Sequence, residues 1–163
     1  MASIFEEIRT ERAALLDAVK GHDAAVLTRA GVVGPWSVKD VLAHIAGWQD
    51  WMLRVYPLRL DTGDVPEDLR VTDENIDQWN HRFVVERAEY PFEKVLEDLN
   101  DSLRRLMIYL ANLGASRLAA PNPWPGRSTS ITEYLREHLV EHDREHRQQI
   151  ERALRRTVRA AGT

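Results

Sequence analysis

The chain has 163 residues, 44% of them hydrophobic and 29% charged, with a formal net charge of −4 at pH 7 and no cysteine. That is one domain's worth of sequence with enough apolar residues for a core, and its charge argues against general attraction to nucleic acid or anionic membrane. The missing cysteines exclude disulfides, thiolate metal sites and a cysteine nucleophile, so any metal must be held by nitrogen or oxygen.

The pattern is helical throughout, and strand-like alternation is nearly absent. Ser3 caps a first helix running to about Lys20, with Ile4, Phe5, Ile8, Leu15 and Val19 on one face. This start is charged and amphipathic, unlike a signal peptide, and no apolar run approaches membrane length; the expected compartment is the cytoplasm, with no membrane partner. A connector from His22 to Trp36 is punctuated by Gly31, Gly34 and Pro35. Ser37 with Asp40 opens a second helix expected to end near Tyr56, ahead of Pro57. Leu58 to Val71 is polar and turn-rich. Thr72 caps a third helix from Asp73 to about Glu89. Pro91 starts a fourth, whose stripe is Phe92, Val95, Leu96, Leu99, Leu103, Leu106, Leu110 and Leu113, and Gly114 stops it. Ala119 to Arg127 holds three prolines and is a loop. Ser130 with Glu133 opens the last helix, from Ile131 to about Val158. Its basic end suits a helix C-terminus and lacks interleaved aromatics, so nucleic acid is not expected as a partner; from about residue 156 it is expected to fray. The expectation is one all-α domain, residues 1–163, with a helical bundle as its core.

Three histidines interrupt the apolar stripes. The second helix presents Val41, Ile45, Trp48, Met52 and Val55, and His44 falls on the same face. The last helix presents Ile131, Leu135, Leu139, Ile150 and Ala153, and the positions between Leu139 and Ile150 are His142 and His146. A buried imidazole needs hydrogen-bond partners or a metal. An i, i+4 pair lies on one helix face, roughly 40° and about 6 Å apart, which two side chains converging on one ion can span. The HExxH glutamate is missing here, and His44 is the histidine centred on another apolar face. A satisfied core histidine is the competing explanation at each position. His138, four residues before His142, offers a rival pair that spacing does not exclude. His22 and His81 read as solvated.

The string GPWSVKDVLAHIAGW, Gly34 to Trp48, resembles the G-x-W-S-x-x-D-x-x-x-H-x-x-x-W opening of DinB-like (DinB/YfiT) proteins. HDREHRQQI, His142 to Ile150, resembles their closing H-x-x-x-H-R-x-Q-I, and IDQWNHRFV with the stripe after Pro91 resembles the ClbS/DfsB-like branch. The resemblance covers essentially the whole chain. It implies a four-helix bundle with up-down-down-up connectivity. It also implies one divalent ion, nickel or zinc, held by His44, His142 and His146, a register that favours His142/His146 over the pair with His138. Relatives often pair, and Met107 and Tyr109 beside the fourth stripe suit a homodimer.

Three neutral imidazoles leave a coordination position open, as catalytic sites do. The resemblance thus implies a metal-dependent enzyme acting on a small electrophile: a hydrolase, or an S-transferase using a low-molecular-weight thiol cosubstrate. The alternative is a non-catalytic protein that sequesters a small molecule or metal. No catalytic residue is assigned beyond the metal site. Candidate pocket residues are Trp36, Trp48, Trp51, Tyr56, Trp79, Asn80 and Trp124, although tryptophans at helical spacing also serve as core. Glu141 and Glu145 are candidates to orient the ligand histidines, against a solvated helix face.

Overall fold

The computed structural model describes residues 2–124 and 129–161. Its regular structure is helical: α1 (Ile4–Val19), α2 (Ala24–Leu27), α3 (Val38–Thr62), a 3₁₀ turn (Glu67–Leu69), α4 (Ile76–Val85), α5 (Phe92–Leu118), α6 (Ile131–Leu135), a π-helical segment (Arg136–Glu141) and α7 (His142–Ala161). Among the described residues the extended pairings are two isolated bridges, Val33 with Trp36 and Pro121 with Ser130. The chain forms two compact units, Met1–Val41 with Thr132–Thr163, and Leu42–Ile131.

In the first unit, α1 opens on a reciprocal cap: Ser3 N–H donates to the Glu6 carboxylate at 2.7 Å, and Glu6 N–H donates to Ser3 Oγ at 3.3 Å. Ile4, Ile8, Leu15 and Val19 are buried, as periodicity predicts. Charged residues of α1 are buried as well. Arg12 donates twice to Asp143, at 2.9 and 3.3 Å. Glu11 accepts from Arg144 at 3.1 Å and Arg147 at 2.8 Å, and Arg136 donates twice to Glu7, at 2.7 and 2.9 Å. The connector is more structured than expected, since it contains α2, whose Leu27 is buried. The helix expected from Ile131 is interrupted by the π segment, and the basic stretch from about residue 156 stays helical to Ala161.

In the second unit, α3 departs from the expected end near Tyr56 and runs through Pro57 to Thr62. Proline removes a helical N–H and crowds the carbonyl four residues back. Contacts beyond it compensate: Arg59 donates to the Pro123 carbonyl at 3.1 Å and stacks over Trp124 at 5.5 Å, and Thr62 Oγ1 donates to the Leu58 carbonyl at 2.7 Å. From Val41 to Gly47 every residue of α3 is buried, not one face alone. Gly47 allows this, because a Cβ there would collide with the Phe83 side chain of α4.

The third helix starts later and ends earlier than Asp73 to Glu89. Thr72 acts through its backbone carbonyl, which accepts from Asn75 and Ile76 N–H at 3.1 and 3.0 Å. After Val85 the chain turns so that buried Arg87 reaches Asp50 at 2.7 Å and Asp98 at 3.2 Å. Pro91 disfavours helical backbone at Tyr90. The α5 stripe is buried at Phe92, Val95, Leu99, Leu103, Leu106 and Leu110. Gly114 does break α5, with φ 77° and ψ 160°, but a last helical stretch follows and buries Leu118. The expected loop begins there and is described as far as Trp124; Pro125, Gly126 and Arg127 lie outside the described residues.

Candidate metal centre

The π segment decides which side chains of the last helix point inward. Its hydrogen bonds span five residues instead of four, which delays the buried face by roughly one position. Before it Ile131, Tyr134 and Leu135 are buried; within it Leu139 and Val140 are, and after it Asp143, His146 and Ile150. His138 is half-buried like His142, with its Nε2 buried and its ring on Tyr134, centroids 4.0 Å apart.

His142 and His146 face one another. Their Nε2 atoms are 3.1 Å apart and their rings are nearly perpendicular, at 79°. Two nitrogens at Zn–N distances in a tetrahedral site lie about 3.3 Å apart, so the pair suits a shared ion. The second nitrogen of His146 is committed elsewhere: Nδ1 sits 2.8 Å from Gln149 Oε1. An amide oxygen only accepts, so this contact is a hydrogen bond when Nδ1 carries the proton, the tautomer that leaves the Nε2 lone pair for an ion. Burial pushes the His146 pKa below its ordinary value, against the opposing hydrogen bond to Gln149, which favours the neutral ring that ligation needs. Glu141 is exposed and bonded to Arg144 at 2.7 Å, and Glu145 is exposed. The sequence signal for Gln149 was its place three residues after His146.

Asp143 is buried on this stretch with its ion-pair partner. Its side chain is 2% exposed and its partner Arg12 5%. Burial pushes the Asp143 carboxyl up, and the Arg12 guanidinium opposes that. Sequence reasoning missed both residues, because an uninterrupted helix places position 142, not 143, on the apolar stripe.

His44 lies in α3, 5% exposed, with its ring edge-on to Trp48 at 6.4 Å. Trp48 is half-buried and donates from Nε1 to Asn80 Oδ1 at 3.0 Å. Trp51 and Trp79 are buried, and their indole N–H groups are spent on the Leu69 and Arg70 carbonyls at 2.9 and 3.2 Å. Tyr56 is fully buried with its ring 5.3 Å from Trp124, which is half-buried and also 6.4 Å from Trp51. These aromatics therefore form one cluster in the second unit, joined by Phe83 at 5.0 Å from Trp48 and 5.6 Å from Trp79. Trp36 is half-buried in the first unit, where its carbonyl accepts from Gly31 and Val32 N–H. His81 is exposed and His22 half-buried.

A family model of the DinB superfamily matches residues 7–150. No curated protein matches the sequence. Three solved structures share the fold. The colibactin self-resistance protein ClbS, in complex with a dsDNA, has a TM-score of 0.81 at 10% identity, covering 93% of this chain and 94% of that one. DfsB, described as a sibling lethal factor precursor, has 0.80 at 14%, covering 96% and 98%. A Streptococcus pneumoniae protein has 0.77 at 12%, covering 91% and 87%. The ClbS complex overturns the expectation that nucleic acid is excluded as a partner. Net charge is a sum over the whole surface, whereas DNA reads the local arrangement of cations, so a chain of net charge −4 is not barred.

Proposed function

The chain belongs to the DinB superfamily, and on that premise we propose that it is a metal-dependent enzyme acting on a small electrophile, as a thiol-dependent S-transferase or a hydrolase, with His44, His142 and His146 holding one nickel or zinc ion. The observation that carries this reading is that His142 and His146 face one another with their Nε2 atoms 3.1 Å apart, while buried His44 stands at the histidine of the GPWSVKDVLAHIAGW motif. Three imidazoles complete no tetrahedron, which leaves room for water or substrate. An ion bound there supplies Lewis acidity, lowering the pKa of a water or thiol and polarising the electrophile. The chain's own residues do the rest. Gln149 holds the proton of His146 on Nδ1, Asn80 holds the Trp48 indole, and burial around His44 and His146 limits water. With no cysteine in the chain, a thiol nucleophile has to arrive as a cosubstrate. Trp48, Asn80 and Trp124 are assigned to the substrate wall, with Trp51, Tyr56 and Trp79 packed among them and Trp36 as a further candidate.

The test is metal content per chain followed by turnover with a panel of electrophiles, each with and without small thiols. Thiol-dependent turnover supports the transferase, thiol-independent turnover the hydrolase. Metal-free protein without turnover in either arm removes the enzyme reading.

A binding protein is the second reading, favoured by the self-resistance role and dsDNA complex of ClbS. Arg29, Arg152, Arg155 and Arg156 are among the exposed cations that could meet DNA in this reading. Mobility shift of duplex DNA that weakens steeply with salt and is lost on changing these arginines to alanine supports this reading. No shift at low salt counts against it.

A further inference from the structure

Gln149 is placed where it can control the metal ligand beside it. It sits three residues after His146 in α7, half-buried, with Oε1 2.8 Å from His146 Nδ1. We propose that Gln149 is the positioning residue of this half-site. Its amide oxygen selects the His146 tautomer with the proton on Nδ1 and so turns the Nε2 lone pair toward the ion. The proposal rests on the metal reading for its consequence but not for its geometry.

A neutral imidazole exists in two tautomers. Either nitrogen can carry the proton, and which one does is set by the hydrogen bond the other groups offer. A lone neighbouring imidazole does not decide it. His142 Nε2, 3.1 Å from His146 Nε2, can donate or accept depending on its own tautomer. With Oε1 turned toward Nδ1, as the 2.8 Å contact has it, Gln149 can only accept there, so this orientation makes Nδ1 the donor. It also restrains the ring: with Nδ1 tied to a residue one turn later, rotation of His146 about its side-chain bonds breaks a hydrogen bond. Such partners of ligand histidines typically change metal affinity 10- to 100-fold, as an order of magnitude. The residue type matters too. An amide supplies the acceptor without a charge, in a stretch that already buries the Asp143 carboxylate with Arg12. A carboxylate at 149 would keep the acceptor and add a negative charge beside His146.

The experiment uses the full chain in three forms: wild type, Gln149→Met and Gln149→Glu. Methionine keeps the length and removes the acceptor, whereas glutamate keeps the acceptor. The first readout is the His146 tautomer in metal-free protein, from long-range ¹H–¹⁵N correlation spectra. The second is zinc affinity by competition with a chromophoric chelator. Wild type and Gln149→Glu should show the Nδ1–H form. Gln149→Met should show a mixed or Nε2–H population and bind zinc about 10- to 100-fold more weakly. A Gln149→Met protein with the wild-type tautomer, or with wild-type zinc affinity, overturns the proposal. Because the spectra need no metal, a wild type that binds no zinc yet shows the tautomer change would sink the metal reading while leaving the orienting role of Gln149 supported.

Discussion

Asp143 stands one residue from His142 and carries its charge where only 2% of the side chain is exposed. Taking one partner from such a pair leaves the other buried and uncompensated, which costs about 3–5 kcal/mol. Asp143→Ala should therefore lower stability by that order in urea titration, more than Glu141→Ala, whose partner Arg144 is solvated. A near-neutral Asp143→Ala would show that Arg12 finds water or another acceptor. The ligand set makes a second prediction at this scale. His44→Ala, His142→Ala and His146→Ala should each abolish most metal uptake, measured per chain by elemental analysis, and His138→Ala should not. If His138→Ala is the change that removes the metal, the assignment is wrong. The pH dependence follows from burial of His146. Its folded pKa lies below the unfolded value of about 6.5, so as pH falls the unfolded chain takes up the proton first. The contribution is fully present above about pH 6.5 and fades below it. In metal-free protein the melting temperature of wild type should fall more steeply than that of His146→Leu as pH drops through this range. Parallel curves would rule out His146 as the source.

At the scale of elements, two glycines do what no other residue could. Gly47 brings the α3 backbone against Phe83, and Gly114 turns α5 through a conformation open almost only to glycine. Gly47→Ala should cost about 1–3 kcal/mol through overpacking, although alanine is the better helix former. Gly114→Ala should cost about 1–3 kcal/mol through strain. Chemical denaturation with unchanged slope checks both, and a stabilising Gly47→Ala would mean that α4 moves away from α3 at no cost. Element positions were largely legible in the sequence. The Ser37–Asp40 cap, the Pro91 start and the α5 stripe all follow local rules, because caps and periodicity are settled within a few residues. Two departures lie beyond such local rules. Pro57 reads as a stop and is not one, since Arg59 gains Pro123 and Trp124, partners far along the chain. The π segment is invisible to a counting rule, because an ideal helix already places Leu135, Leu139, His142 and His146 on one face.

For the molecule as a whole, a ligand that binds only the folded state stabilises it by mass action. At a free metal concentration 100-fold above Kd this amounts to about 2.7 kcal/mol, or a rise of roughly 5–10 °C in Tm for a chain of this size. Scanning calorimetry with zinc and then with excess chelator measures it; equal Tm in both arms would count against a folded-state metal site. Among the described residues no helix is long and apolar enough to cross a membrane, as the sequence indicates. The sequence by itself determined the helical class, most caps and stripes, the family motifs and the three histidines, because these depend on residue type and short-range spacing. Only the tertiary structure decided that a π segment interrupts the last helix, that Gln149 bonds His146, that Arg12 and Asp143 are buried together, and that α3 passes through Pro57. Each of these depends on a register shift or on a partner distant in the chain, and neither leaves a mark in local periodicity.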